Sequence, residues 1–420
     1  MGSDIVSSDQ QTIDAPASVQ PHAGRPITGR SRSGRSHFTS RSERLVRRLL
    51  SEAEVEAGGP NPWDPRIRPE AYDMIVAEGS VGLGEAYMHG LWECDDLAGL
   101  FARLTGVAIW NKVPWNLPTA LVYLQARLQN RQNRTRAMKV GRIHYDLPAE
   151  VWEATLDTTM TGSCAYYRTG AETLEEAQAA KKRLVFEKLD LQPEQRLLDI
   201  GVGWGAFAGY AIEHHRARPI GATISPAQRD YIHRRYGPDA IDVRVQDYRD
   251  IALAEPVDRI ISVEMFEQVG WRNHRRFFEI ARKALKPDGR MLLHTIVGHE
   301  PSWHIDPWMN KYIYPEGHLP TLGQIGAAAH GLFHVEDVQD IGAHYDPTLI
   351  AWMDKFRSNR EAVKALGAGR LGRDPEVFCR MWEYHYLASA GGFRSRCISV
   401  HQYLLSPNGV PGGLPAYREA

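Results

Sequence analysis

The sequence contains few cysteines and no closely spaced pair of them. Its four cysteines, Cys94, Cys164, Cys379 and Cys397, lie far apart in a chain of 420 residues. This spacing fits neither a disulfide framework nor a zinc site, so we expect reduced thiols, a cytoplasmic compartment and no bound metal. The first residues also lack the basic and apolar regions that make up a secretory signal.

Long apolar runs and an excess of one charge are missing as well. The most apolar long window, residues 104–124, is interrupted by Lys112 and two prolines, which disfavours a membrane-spanning helix. The formal net charge of −1 argues against a nucleic-acid-binding protein held by overall charge. Hydrophobic residues make up 43% and charged residues 24%, a composition typical of globular proteins, and the length exceeds one average domain.

Composition and periodicity divide the chain into four predicted segments. The first is polar and rich in Ser, Gly and Arg, which is typical of disordered chain. The last alternates apolar helical and strand patterns, which is typical of an α/β domain. The segments are a disordered basic tail at residues 1–43, a small N-terminal domain at 44–104, a helical linker at 105–140 and a large catalytic domain at 141–420.

The arginines near the N-terminus are concentrated in one stretch. Residues 25–48 contain eight arginines and a single acid, Glu43. One interpretation is a solvated tail. The other is an electrostatic arm for anionic membrane surfaces, where each basic residue near the surface contributes about 1 kcal/mol. The sequence leaves both open.

The periodicity of the large domain predicts a doubly wound, Rossmann-like sheet. Apolar helical patterns alternate with short apolar strands, and ligands of such sheets bind at the carboxyl ends of the strands. A further helix is expected in the small domain, starting near Asp95. The predicted helices of the large domain are 173–190, 206–215, 226–237 and 273–285, and the predicted strands are 196–201, 219–225, 242–248, 258–265 and one after the turn at 286–289.

A glycine-rich turn, LLDIGVGWGA, follows the first of these strands. Gly201, Gly203 and Ala206 satisfy the dinucleotide-binding pattern GxGxxG/A. An NAD site of this type requires an acid about 20 residues later, at the end of the second strand. The chain reads GATIS there, without an acid, which disfavours NAD.

The other common ligand of such a turn is S-adenosylmethionine (SAM). Asp199 precedes the glycines and Asp247 follows the third predicted strand, where their carboxylates are placed for polar groups of a cofactor. Asp247 fits a structural role equally well, because Asp is a favoured helix N-cap residue.

Nine motifs in one order carry a family resemblance. Together they resemble the cyclopropane-fatty-acyl-phospholipid synthase family of SAM-dependent methyltransferases, over about residues 81–413. This implies a SAM methyltransferase sheet with a smaller N-terminal lipid-binding-type domain. The motifs are HYDLPAEVWEATLDTTMTGSCAYY, LLDIGVGWGAFAGYA, GATISPAQRDYI, QDYRD, MFEQVG, LLHTI, NKYIYPEGHLP, GAHYDPTL and AGGFRSR.

The resemblance implies that SAM binds at the glycine-rich turn. Two positions depart from the family pattern: Val202 stands where a cysteine is usual, and Gly162 stands where a tyrosine usually helps to hold the cofactor. Tyr145 is therefore expected to carry more of that contact. The implied cofactor-binding residues are Tyr145, Ser163, Asp199, Gly201, Gly203, Thr223, Ser225, Gln228, Asp247 and Tyr248.

The resemblance also implies a bound bicarbonate ion as the catalytic base. Methyl transfer to an alkene leaves a positive charge that aromatic faces can stabilise, and a base must then remove a proton from the new methyl group. The implied holders of the bicarbonate are Cys164, Glu267, His294, Tyr345 and the backbone of Ile296. Hydrogen-bond donors of these types can hold an anion, which Glu267 would orient. Taken singly, each side chain also fits an ordinary place in a core or at a helix cap.

The implied function is cyclopropane formation on unsaturated acyl chains of membrane phospholipids. Two alternatives stay open: a related methyltransferase that makes a methyl- or methylene-branched fatty acid or methylates a small molecule, and a catalytically silent lipid-binding protein. We expect peripheral contact with the inner face of the membrane. Trp110, Lys112 and Trp115 are candidates for it, unless they pack between the domains. The sequence does not set the oligomeric state, and a homodimer stays open.

Overall fold

The computed structural model describes residues 39–112, 147–167, 171, 173–302, 304–367 and 374–414. Most of the predicted tail and linker lie outside the described residues, as do Tyr145 and Trp115. From Ser40 onward the chain packs as one compact unit. The predicted boundary between a small and a large domain stays a prediction.

The N-terminal part is a group of helices beside a two-stranded sheet. Its elements are α1 (Arg41–Ser51), β1 (Arg66–Ile67), α2 (Pro69–Glu78), α3 (Ser80–Met88), β2 (Trp92–Glu93) and α4 (Leu97–Gly106). The side chain of Asp96 caps α4 by accepting a hydrogen bond from the Gly99 backbone N–H. This places the start of α4 within two residues of the helix start predicted near Asp95.

Helix α3 was not predicted, because its sequence contains two glycines that favour a loop. The structure gives the reason for them. A β-carbon at Gly82 would overlap the carbonyl group of Met74 in α2, and one at Gly84 would overlap the indole ring of the buried Trp308. The glycines therefore permit a close approach of α3 to its neighbours.

A seven-stranded sheet forms the centre of the chain after residue 195. It consists of β3 (Arg196–Ile200), β4 (Arg218–Thr223), β5 (Asp242–Val245), β6 (Val257–Val263), β7 (Leu285–Gly298), β8 (His334–Asp340) and β9 (Ile398–Ser406). The spatial order is β5-β4-β3-β6-β7-β9-β8, with β9 antiparallel to both neighbours and the pairs from β5 to β7 parallel. The chain reverses direction across the sheet between β3 and β6, the switch point at which such sheets bind ligands.

Helices cover both faces of this sheet. The helices described in this part of the chain are α5 (Ala149–Glu153), α6 (Leu174–Leu189), α7 (Ala206–His215), α8 (Pro226–Tyr236), α9 (His274–Ala284), α10 (Pro307–Tyr312), α11 (Leu322–Ala329), α12 (Tyr345–Ser358), α13 (Arg360–Gly367) and α14 (Pro375–Arg394). Helices α6 and α7 pack on one face, and α9 and α11 on the other. The four predicted helices correspond to α6–α9, each with bounds within one residue of the prediction. The mixed α/β fold is confirmed, whereas β8, β9 and α10–α14 were not predicted.

Successive residues of β3 pack on opposite faces of the sheet, as the alternation of side chains in a strand requires. Leu197 belongs to a core with Phe186 of α6 and Phe207 of α7. Leu198 belongs to a second core, with Phe277 of α9. Burial on both faces explains why the strand reads as a continuous apolar run.

The N-terminal helices share a core with the C-terminal helix α14. The ring of Tyr384 in α14 lies against Tyr87 and Trp92, with ring centroids 5.7 and 6.5 Å away. Within the part of the chain that the structure describes, every helix falls short of the length and apolarity that a bilayer span requires.

Candidate active site

The glycine-rich turn connects the carboxyl end of β3 to α7 and lines a large cavity. Gly201 has φ +96° and Gly203 has φ +54°, a region that side chains rarely adopt. A β-carbon at Gly201 would crowd the side chain of Met265 at 2.8 Å, whereas one at Gly203 would make only an ordinary contact, with the Gly201 carbonyl oxygen at 3.9 Å. The turn therefore presents bare backbone to the cavity.

Asp199, the acid before this turn, is buried but lines the cavity. Burial raises the pKa of its carboxyl group to about 8. No hydrogen bond from the described residues is seen to reach this carboxyl group. A cationic group of a ligand would stabilise the ionised form, so the site fits the ammonium or sulfonium group of SAM.

Thr223, Ser225 and Gln228 form a small network where β4 meets α8. The Thr223 hydroxyl donates to Gln228 Oε1 (2.6 Å), and Ser225 Oγ accepts from the Gln228 backbone N–H (3.3 Å). Thr223 and Gln228 line the cavity. Ser225 acts as the N-cap of α8 and so fixes the start of the helix that carries Gln228, while its part in cofactor binding stays a prediction.

Asp247 takes the structural role that the sequence left open. Its side chain accepts from the Arg249 backbone N–H (2.9 Å) and so caps the short helix Tyr248–Asp250. The same carboxylate pairs with the Arg249 guanidinium at 2.6 Å. Asp247 and Tyr248 both line the cavity, and burial raises the pKa of Tyr248 to about 12.

Ser163 lies beside the cavity in the segment between α5 and α6. Its hydroxyl accepts a hydrogen bond from Lys181 Nζ (2.5 Å), a buried ammonium whose pKa desolvation lowers to about 8. Gly162 lines the cavity as well, and a β-carbon there would make only an ordinary contact with Leu156, at 3.6 Å. Tyr145, expected to compensate for Gly162, lies outside the described residues.

Three of the residues implied for anion binding converge on a carboxylate that the sequence analysis missed, that of Glu264. The Cys164 backbone N–H donates to Glu264 Oε1 (2.9 Å), and the Tyr345 hydroxyl donates to Oε2 (2.6 Å). His294 Nε2 lies 3.2 Å from Oε1. The Cys164 thiol donates to the Ala165 carbonyl (3.3 Å), so the contribution of Cys164 is its main chain.

Glu267 and Ile296 form a separate pair in the same region. Glu267 Oε1 accepts from the Ile296 backbone N–H (2.5 Å) and from the Thr295 hydroxyl (2.8 Å). Its Oε2 has no hydrogen-bond partner among the described residues. The pKa of Glu267 is raised to about 8, mainly by burial and to a lesser extent by the nearby carboxylate of Glu264. Two acids therefore face this part of the cavity, in different surroundings.

The ring of His294 is oriented by a chain of buried hydrogen bonds. Lys188 Nζ donates to Gln402 Oε1 (3.0 Å), which turns the Gln402 amide NH₂ towards His294 Nδ1 (3.3 Å). Because Lys188 can only donate, His294 Nδ1 accepts and Nε2 carries the proton. Desolvation lowers the pKa of His294, which favours this neutral form. His294 thus donates to Glu264.

One cavity of about 1800 Å³ joins the glycine-rich turn to an apolar chamber under the N-terminal helices. Its far end is lined by Leu45, Val46 and Leu49 of α1 and by Trp110. Trp110 is 49% exposed, so it lies at the cavity rim. Lys112 is also exposed and pairs with Glu52 at 2.7 Å. Aromatic rings also line the cavity: Tyr314, Tyr345, Trp352, Trp382, Tyr384 and Phe393.

Comparisons with known proteins identify relatives along most of the chain. The protein-family model described as mycolic acid cyclopropane synthetase matches residues 132–403. The cyclopropane-fatty-acyl-phospholipid synthase of Escherichia coli K12 is 39% identical over 376 residues, which cover 89% of this chain and 96% of that protein. The tuberculostearic acid methyltransferase UfaA1 of Mycobacterium tuberculosis is 31% identical over 394 residues, which cover 87% and 89%.

A solved structure is also similar. The crystal structure of the mycolic acid cyclopropane synthase CmaA1, complexed with SAH and CTAB, superimposes with a TM-score of 0.57 at 32% identity. The match covers 64% of this chain and 97% of that one. The family-model match includes β3–β8, most of β9, the glycine-rich turn and Glu264.

Proposed function

The chain belongs to the mycolic acid cyclopropane synthetase family of SAM-dependent methyltransferases, and we propose that it builds cyclopropane rings on unsaturated phospholipid acyl chains. The observation that carries the proposal is the single cavity that joins the cofactor turn to an apolar chamber. An acyl chain buried there would gain hydrophobic free energy along its whole length. The name of the E. coli relative describes this activity.

The cavity walls suit a reaction that passes through a carbocation. SAM, when bound at the turn, supplies an electrophilic methyl group. The aromatic rings along the cavity offer their faces to a positive charge on the acyl chain. The apolar lining excludes water, which would otherwise capture that charge.

Ring formation requires two new carbon–carbon bonds, and the alkene supplies the electron pair for the first. The π pair forms a bond to the methyl carbon as its bond to sulfur breaks, and the neighbouring alkene carbon becomes positive. One C–H bond of the new methyl group then breaks, its electron pair closes the three-membered ring, and a base takes the proton.

The base was predicted to be bicarbonate, held by Cys164, Glu267, His294, Tyr345 and the backbone of Ile296. Three of these residues, Cys164, His294 and Tyr345, were expected to donate hydrogen bonds to it and also lie beside Glu264. Glu264 accepts hydrogen bonds from all three. A bicarbonate ion would need the same donors, so it does not fit there beside this side chain. The proposed activity requires a base at this place but no particular one, and no step is derived through bicarbonate.

Access to membrane lipids is proposed to run past helix α1. Its arginines Arg41, Arg44, Arg47 and Arg48 are exposed, while apolar residues of the same helix line the cavity. A helix with one basic and one apolar side suits peripheral attachment to an anionic membrane face. The half-exposed Trp110 lies at the same rim, which suits the polar–apolar boundary of a bilayer. A homodimer remains an open prediction.

A second candidate is a methyltransferase that leaves a branched fatty acid. It is favoured by the similarity to a tuberculostearic acid methyltransferase over 87% of the chain. Both candidates share methyl transfer to an alkene and differ only in the fate of the cation.

Lipid analysis of cells tests the proposal. The protein is expressed in bacteria that contain monounsaturated phospholipids but no cyclopropane fatty acids, and their fatty acids are analysed by mass and by NMR. We expect acids one CH₂ group heavier than the monounsaturated ones, with ring protons. The matched control is Gly203→Val, which puts a branched side chain on the bare backbone of the turn, and it should give none. An unchanged lipid profile with the native protein would contradict the proposal.

A further inference from the structure

We infer that the Glu264 carboxylate, and not a bound bicarbonate ion, is the base that removes the proton during ring closure. This inference rests on the proposed function. It assigns the reaction's base to a side chain of the protein itself. The assignment depends on hydrogen-bond geometry, on the backbone at Glu264 and on the orientation of His294.

The hydrogen bonds to Glu264 use both carboxylate oxygens. Oε1 receives the Cys164 backbone N–H and His294 Nε2, at 2.9 and 3.2 Å, and Oε2 receives the Tyr345 hydroxyl at 2.6 Å. These donors come from three distant segments of the chain. Such a set holds a planar, negatively charged, two-oxygen group, which is the shape that carboxylate and bicarbonate share. Glu264 fills the place that an ion would need.

The side chain of Glu264 is only 10% exposed, and what it faces is the reaction cavity. Glu264 follows β6 directly, at the carboxyl edge of the sheet. The side chain of the next residue, Met265, lies so close to Gly201 that a β-carbon there would be 2.8 Å away from it. The carboxylate therefore lies next to the turn at which the methyl donor binds. The two residues Glu264 and Gly201 belong to the neighbouring strand ends at the switch point of the sheet.

The backbone at Glu264 has φ +49°, in the left-handed region that favours glycine. A side chain is kept at such a position only where its surroundings hold it there, and such residues are concentrated at functional sites. Here the three donors hold the carboxylate, and the Glu264 backbone N–H donates to the His294 carbonyl at 2.8 Å. Glycine would adopt this conformation without strain, which makes Glu264→Gly a favourable substitution for a test.

His294 is fixed as a donor and cannot itself take the proton while it faces Glu264. The chain from Lys188 through Gln402 leaves the hydrogen of its ring on Nε2. Glu267 is held differently, by the Ile296 backbone and the Thr295 hydroxyl. Of Glu264 and Glu267, only Glu264 accepts hydrogen bonds from Cys164, His294 and Tyr345.

The step balances with Glu264 as acceptor. The C–H bond of the transferred methyl group breaks, and its electron pair forms the second carbon–carbon bond of the ring at the cationic carbon. The proton goes to a Glu264 carboxylate oxygen and is lost to water before the next turnover. No ion from solution is consumed.

Two variants test the assignment, with turnover measured on monounsaturated phospholipid vesicles in buffer freed of bicarbonate and carbon dioxide. We expect native turnover to be unchanged by bicarbonate removal. Glu264→Gln keeps the size of the side chain but cannot take the proton, so its kcat should fall by about a hundredfold or more, as expected for loss of a general base. SAM affinity, measured by calorimetry, should change less than twofold in either variant.

Glu264→Gly supplies the matched rescue. It removes the carboxylate and frees all three donors, so its turnover should fall in bicarbonate-free buffer and recover when bicarbonate is added. Glu264→Gln should not recover, because its amide fills the pocket. A native enzyme that slows without bicarbonate, a Glu264→Gln variant with near-native kcat, or a Glu264→Gly variant that bicarbonate does not restore would each overturn the assignment. Failure of the native protein to form any ring product would instead refute the proposed function.

Discussion

The buried acids Glu264 and Asp199 differ in the groups that stabilise their negative charge. We use this difference to propose a separate role for each. Glu264 has three donors, whereas Asp199 faces the cavity with its pKa raised to about 8 by burial. A ligand that carries positive charge would bind the ionised form of Asp199 and release a proton when the pH lies below 8.

We therefore expect SAM affinity to rise with pH, by up to tenfold per pH unit, until it levels off above about pH 8. Asp199→Asn should bind SAM more weakly at high pH and lose this dependence, because the amide does not ionise. Calorimetric titrations between about pH 6 and pH 9 measure both effects. Asp230→Asn, an exposed acid on α8, is the matched control and should behave as the native protein does. A flat native profile would contradict the role of Asp199.

The sequence placed most candidate residues in one region but missed Glu264. The motifs named Cys164, His294 and Tyr345 one by one, and they meet only because three separate segments fold onto the end of β6. One signal was available, since Glu264 is an acid directly after a buried strand at the ligand-binding edge. The family resemblance indicated Glu267 instead, three residues later, and only the folded chain brings the three donors to Glu264.

Among the elements, those with a local pattern were predictable. Helices α6–α9 carry apolar periodicity, and two of them begin at side-chain caps: α6 at the Thr173–Glu176 capping box and α8 at Ser225. Strand β8 is mostly polar and partly exposed. Among the described residues it pairs with β9 alone, more than 50 residues later in the chain. Such a strand depends on a distant partner, so its own sequence did not predict it.

The close contact between α3 and α10 also depends on distant residues. Gly84→Ala would place a β-carbon against the Trp308 indole, which is fully buried, so we expect a loss of about 1–3 kcal/mol in the free energy of unfolding. Gly326→Ala in α11 is the matched control. Its β-carbon would meet nothing within 4 Å, so it should be neutral or stabilise the helix by about 0.5–1 kcal/mol. Chemical denaturation measures both, and equal effects would contradict the packing described.

At the scale of the whole molecule, the cavity depends on both ends of the chain. Helices α1 and α3 line it together with α14 and the strand ends of the sheet. The rings of Tyr87, Trp92 and Tyr384 join these parts in one core. The resemblance predicted an N-terminal lipid-binding-type domain, and the position of the chamber supports that proposal. The apolar chamber could not be predicted from composition, because residues from several separate segments of the chain line it.

The predicted tail is expected to strengthen attachment to membranes. A protein lacking residues 1–38 loses four arginines but keeps α1 and its Ser40 cap. Its binding to anionic vesicles should be weaker and less sensitive to salt, because surface attraction is screened over about 8 Å at physiological ionic strength. Binding to neutral vesicles should not change. A full-length control with those four arginines replaced by glutamine should match the truncated protein. If the truncated protein binds anionic vesicles as the full chain does, the tail contributes no attraction.

The most direct test of cyclopropane formation follows the hydrogens of the transferred methyl group. Purified protein is incubated with monounsaturated phospholipid vesicles and SAM that carries three deuterium atoms on its methyl group. Ring closure removes one of them, so the account predicts a product with two deuterium atoms and ring-proton signals in its NMR spectrum. A product that keeps all three in a methyl branch, or a two-deuterium product without ring signals, would contradict it.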